Sequence, residues 1–182
     1  MKKAVLAVSV FIFIIPLWFI PIWSEPADRI MKEYELKSAY LYKICRFTRW
    51  LRPMKPGEPF IISILGPFIS GNEITIPPDK LIQNKHVIIR KIKKLADIGD
   101  SHVVFITAPE AYHLDEIIAY TEDKDILTFG DTKGFAQKGV IINFYVENDQ
   151  IKFEINIDAE KKSSIKLYSQ VFRNGRIVES EK

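Results

Sequence analysis

An α/β fold, built as a single layered domain with a mixed sheet, a C-terminal antiparallel hairpin and flanking helices, is what this sequence predicts. Three observations predict it. Helical and strand-like apolar patterns alternate along the chain from residue 33 onward, which is the pattern of layered α/β folds. Several of the strand-like runs are short, apolar throughout and closed by Gly or Pro, as buried strands are. Two further runs flank Glu147, Asn148, Asp149 and Gln150, a turn-forming tetrapeptide, so they pair as a hairpin and make the sheet mixed.

The elements follow in order. Leu36, Tyr40, Ile44, Phe47 and Leu51 recur at spacings of four and three, which predicts an amphipathic helix over Glu33–Leu51 that stops before Pro53. Phe60–Leu65 reads as a buried strand ended by Gly66 and Pro67, and Ser70–Asp79 as a loop punctuated by Gly and Pro. Val87–Ile92 and His102–Thr107 are strand-like, and Pro109 opens a helix running through Tyr120. Ile126–Phe129 is a further short strand. The hairpin is predicted over Val140–Val146 and Ile151–Ile157, with Phe144, Val146, Ile151, Phe153, Ile155 and Ile157 keeping a period of two that faces the core. A last helix, Ala159 to about Phe172, closes the fold.

Residues 4–23 carry no charge, are almost all apolar, and follow Lys2 and Lys3. A basic start before a long apolar run is the pattern of a secretion signal or an N-terminal anchor, with the remainder of the chain working outside the inner membrane. Such a run is about long enough to span a bilayer, while Pro16 and Pro21 weaken a straight helix and Ser24 is small enough to precede cleavage. Signal peptide and membrane anchor both fit. The expected domains are therefore residues 1–24 as signal or anchor and 25–182 as one α/β domain, in the periplasm.

Removing residues 1–24 leaves 24 basic against 23 acidic side chains. That balance argues against nucleic acid, whose phosphates demand a concentrated basic excess. Cys45, the only cysteine, excludes an intramolecular disulfide and sits in an apolar helical pattern, so burial as a small hydrophobe is expected over pairing between chains. The compact catalytic signatures are missing: no GxSxG, no GxxxxGK[ST], no GxGxxG and no HExxH. His86, His102 and His113 do not share a helix face at metal-ligand spacing. No enzyme activity, metal or cofactor is expected.

Two sets of residues are candidates for binding. Arg46, Arg49 and Arg52 follow Lys43 at successive i, i+3 steps, giving on the predicted helix a basic ridge with Phe47 and Trp50 beside it. Such a ridge is either a solvated face or a docking surface for an acidic partner or lipid head groups. The second set, Gly66, Thr107 and Asp131, lies at or just after the ends of three predicted strands, at the carboxyl edge of the sheet, where open α/β sheets bind ligands. Asp131 also reads as the N-cap of a short helix through Phe135.

Taken in order, the segments EYELKSAYLYKICRFTRW, FIISILG, SHVVFIT, ILTFGD, FAQKGVIINFYVENDQIKFEINIDAEK and SSIKLYSQVF resemble the YfiR-like family of exported bacterial proteins, from about Glu33 to Phe172. The most specific piece joins Phe135-Ala136, Gly139 to Phe144, the hairpin, and Phe153 to Asn156. The resemblance implies a periplasmic α/β protein that is not an enzyme and that binds the sensor part of an inner-membrane diguanylate cyclase, holding down cyclic di-GMP and biofilm formation. Many members of that family read Cys-His where this chain has Ser101-His102, and the terminal helix differs at Tyr168, Val171 and Phe172. Disulfide-based control within the chain is excluded by its single cysteine. The competing classes are an exported small-molecule binding protein, which needs a deep pocket at the sheet edge, and a hydrolase, which needs converging polar groups.

Overall fold

Helix α1 spans Glu25–Arg46 and is followed at once by strand β1, Thr48–Trp50. The computed structural model describes residues 25–51, 54–67 and 73–181; the apolar segment before residue 25, Arg52 and part of the predicted loop Ser70–Asp79 lie outside them. The predicted helix through Leu51 is thus corrected: it stops at Arg46. Lys43 and Arg46 in its last turn complement the negative end of the helix, and the hydroxyl of β-branched Thr48 bonds back to the Ile44 carbonyl at 2.7 Å, turning the chain out into an extended strand.

Among the described residues the main sheet has eight strands in the order β10-β8-β7-β6-β5-β2-β4-β3. Its centre is parallel: β2 (Phe60–Leu65), β4 (Lys85–Ile92), β5 (Val103–Ile106) and β6 (Leu127–Gly130) run together. The short β3 (Leu81–Ile82) pairs antiparallel with β4. Every residue of β2, β5 and β6 is buried, which is why those segments read as unbroken apolar runs and not as alternating ones. Alternate side chains serve two cores. Phe60, Ile62, Ile64, Phe105 and Phe129 pack toward α1, whereas Leu65, Val104 and Ile106 pack against α2, Leu114–Thr121. The predicted helix from Pro109 begins as a 3-10 turn over Ala108–His113 before α2.

The hairpin joins β7 (Ile142–Glu147) to β8 (Gln150–Asn156), with β6 and β7 parallel and β7 and β8 antiparallel. Asn148 and Asp149 both take positive φ, 51° and 57°, the conformation a two-residue hairpin turn demands and these residue types tolerate. Ile142 faces Ile155, Phe144 faces Phe153 and Val146 faces Ile151. The predicted alternation holds from Phe144 through Ile155, although Val146 near the turn is half exposed; Ile157, expected as the last inward residue of the strand, lies beyond its end and is only partly buried.

After the hairpin the expected single helix Ala159–Phe172 is replaced by three elements, α3 (Ile157–Lys162), β9 (Ile165–Leu167) and α4 (Ser169–Phe172), and an unpredicted strand β10 (Arg176–Val178) follows them. Asn156 caps α3 by accepting from the Ala159 N–H at 2.8 Å. Ser163 is extended, and the Ser163-Ser164 pair competes poorly for helix. Ile165 and Leu167 then point inward with Lys166 between them, so β9 pairs antiparallel with β1 as a separate two-stranded ribbon. Strand β10 adds parallel to β8 at the sheet edge. Among the described residues no helix is long and apolar enough to cross a membrane.

Candidate functional site

The ribbon is where the first set of candidate residues comes to rest. Thr48 faces Leu167, Arg49 faces Lys166 and Trp50 faces Ile165. Thr48, Trp50, Ile165 and Leu167 are buried, while Arg49 points out. Arg46, on the last turn of α1, and Arg49, on a strand, therefore do not form the helical ridge that i, i+3 spacing implied; Arg52 lies outside the described residues. Trp50 is a wall and not an exposed anchor. Its indole N–H donates to the His102 carbonyl at 3.3 Å and its ring meets Phe60 edge-on at 5.1 Å. Phe47, Leu51 and Tyr168 are the exposed apolar groups here, at 40%, 52% and 46%.

Both free edges of the ribbon are occupied by side chains. Gln83 Nε2 donates to the Thr48 carbonyl at 2.9 Å, and Glu160 Oε1 accepts from the Leu167 N–H at 3.2 Å. Further pairing along those edges is blunted, which leaves the outward face as the accessible part. Sequence reasoning missed Lys166 and Tyr168 in this face, having placed both in a helix. The apolar, polar, apolar alternation of Ile165, Lys166 and Leu167, set off by serines, is the signal that marks them as a strand.

The second set lies at the carboxyl ends of the parallel strands. Gly66 has φ +90°, and a Cβ there would stand 2.4 Å from Thr107 Oγ1 and 2.7 Å from Glu110 Oε1. Thr107 donates its hydroxyl to the Leu65 carbonyl at 3.0 Å. Gly66 and Thr107 thus meet, with Glu110 laid over them. Replacing Gly66 by Ala is expected to destabilise the protein by about 1–3 kcal/mol, from positive-φ strain together with overpacking; a urea midpoint equal to wild type would contradict this packing.

Asp131 is not a helix N-cap, because no helix follows it. Its Oδ2 instead accepts from Tyr34 Oη at 2.5 Å and Lys37 Nζ at 2.8 Å, and Lys37 also meets Glu33 at 2.6 Å. The Lys37 and Asp131 side chains are 4% and 7% exposed. The carboxylate at the sheet edge is therefore engaged by α1, a partner about a hundred residues away in sequence that no local pattern announces.

At Ser101, where the family resemblance suggests cysteine, the hydroxyl lies 2.7 Å from Ser63 Oγ, and both residues are fully buried. Arg90 Nε donates to Ser63 Oγ at 2.8 Å and Arg90 Nη2 to Asp100 at 2.7 Å. Burial works to raise the Asp100 pKa, but the bonds from Arg90 and the Asp100 backbone outweigh it and hold the carboxyl below its usual range. Cys45 is buried in the core, and desolvation pushes its thiol pKa far up, so it is not a reactive thiol.

A cleft of about 440 Å³ opens between α2, the turn at Gly139, α3 and the chain end, lined in part by Ile118, Thr128, Gln137, Lys162 and Ser180. Neither Gly66, Thr107 nor Asp131 lines it. No group of three or more His, Cys, Asp or Glu side chains among the described residues converges as a metal site would.

The model of the YfiR/HmsC-like family matches residues 34–176, from within α1 to the start of β10. The chain belongs to the YfiR/HmsC-like family. That span takes in the ribbon, the parallel strands, the hairpin and the edge cluster around Asp131, so all the candidate residues fall within the family's own fold. The YfiR-like family is one of periplasmic regulators and not of enzymes. Comparison with curated proteins finds no match.

Proposed function

We propose that this protein is exported by its N-terminal apolar segment and, from the periplasmic side, restrains an inner-membrane diguanylate cyclase through protein–protein contact. The family match over residues 34–176 carries this reading. It is supported by the apolar run at residues 4–23 behind two lysines, which directs export or anchoring. The near-neutral remainder of the chain suits a protein partner better than a polyphosphate.

Deletion of the gene should raise cyclic di-GMP in the native host. Re-expression of the full chain should lower it again, whereas a chain lacking residues 1–24 should remain cytosolic and fail to do so. Fractionation with mass measurement should find the active form either starting near Glu25 or full length in the membrane. Unchanged cyclic di-GMP on deletion would remove the cyclase from the reading, and full-length protein free in the cytosol would remove export.

A further inference from the structure

The outward face of the β1–β9 ribbon repeats a simple order. Extended by one residue at each end, the register brings three rows together: Phe47 with Tyr168, Arg49 with Lys166, and Leu51 with Ser164. Backbone bonds hold the outer rows, from the Tyr168 N–H to the Phe47 carbonyl at 2.9 Å and from the Leu51 N–H to the Ser164 carbonyl at 3.3 Å. Successive rows on one face of a strand are about 7 Å apart. Two cations directly opposite each other on a ribbon repel and destabilise it.

Relief of that repulsion inside the molecule is slight. Lys166 comes no nearer than 3.8 Å to Glu160, whose same oxygen already serves the Leu167 N–H. Arg49 has no carboxylate partner among the described residues, nor has Arg46 at the adjoining end of α1. The cationic row therefore sits between two rows with exposed apolar groups, Phe47 and Tyr168 on one side and Leu51 on the other, and it waits for an anion.

We infer that this face docks an extended acidic segment of the partner protein, in which one Asp or Glu engages Arg49 and Lys166 and apolar residues two positions to either side cover Phe47, Tyr168 and Leu51. A row order of apolar, cationic, apolar at strand spacing is complementary to a side-chain pattern of period two. A fluid lipid surface has no such period. The inference rests on the reading that the partner is a protein of the inner membrane, and it names the chemistry by which that partner is held.

The test uses the full chain in its native host, with Leu51→p-benzoylphenylalanine as a photo-cross-linker on the face and Tyr112→p-benzoylphenylalanine, on an exposed residue elsewhere, as the control. Irradiation should give an adduct from position 51 and none from position 112, with the cross-linked peptide carrying an acidic residue flanked by apolar ones. Adding Arg49→Glu should reduce the adduct at least tenfold and release the cyclase. The same substitution should leave Tm equal or higher, since it turns a repelling cross-strand pair into an attracting one. A merely structural role for Arg49 predicts the reverse, a lowered Tm. Arg49→Lys should keep both the adduct and repression.

An adduct unaffected by Arg49→Glu, or an adduct to phospholipid alone, would overturn the inference. Absence of any adduct from position 51 in a strain that still represses would overturn this surface and leave the cyclase reading standing. An Arg49-dependent adduct to an acidic segment of some other envelope protein would uphold the surface and remove the cyclase.

Discussion

Lys37→Ala is expected to cost about 3–5 kcal/mol of stability, because it removes one partner of a buried ion pair and strands the other. Lys37 Nζ lies 2.8 Å from Asp131, 2.6 Å from Glu33 and 4.3 Å from the centre of the Tyr34 ring. With the ammonium gone, the buried Asp131 carboxylate keeps only the Tyr34 hydroxyl among these partners. Chemical denaturation of the variant checks the size of the loss. The double variant Lys37→Met, Asp131→Leu should recover most of it, since replacing both charges by apolar groups of similar size removes the desolvation cost along with the pair. A single variant as stable as wild type would mean that the pair contributes no net stability and that α1 is held by its apolar face alone.

Phe153→Ala should cost a similar amount, about 3–5 kcal/mol. The ring is 3% exposed and stands opposite Phe144 in the hairpin. It packs at 5.8 Å from Tyr40 of α1 and 6.5 Å from Phe144, and it presses on Gly175, where an added Cβ would come within 2.6 Å of it. Removal would open a cavity where the sheet, α1 and the turn at Gly175 meet. Val146→Ala, on the same face but half exposed near the turn, should change stability by less than about 1 kcal/mol. Equal denaturation midpoints for the two variants would contradict the hairpin register.

These two substitutions also differ in how they could be foreseen. Phe153 is legible in the sequence: it alternates with Ile151 and Ile155 across from Phe144, and the turn Glu147 to Gln150 fixes which residues face each other. Lys37 is not. It looks like one more solvated helix residue, and only the packing of α1 over the end of β6 makes it the partner of Asp131.

The same division holds for the binding face. Arg46 and Arg49 stand out in the sequence as closely spaced cations, but helical periodicity was the wrong frame for them. The apolar recurrence through Phe47 and Leu51 continues past the point where Thr48 turns the chain, and spacings of three and four cannot reveal that a distant strand, β9, is waiting to pair there. Trp50 turns on the same point: on a strand its side chain alternates inward, against Phe60, where a helix would have set it beside the arginines.

By itself the sequence determined the layered α/β class, the buried apolar strands and the hairpin. Each of these is written in local apolar patterns and turn chemistry that act over a few residues. Tertiary structure alone decided the end of α1, the breaking of the last predicted helix into α3, β9 and α4, the closing of β10 on β8, and the capture of Asp131 by Lys37. Those outcomes depend on contacts between segments far apart in the chain, which override local propensity because burying Ile165, Leu167 and Trp50 is worth more than a few further turns of exposed helix.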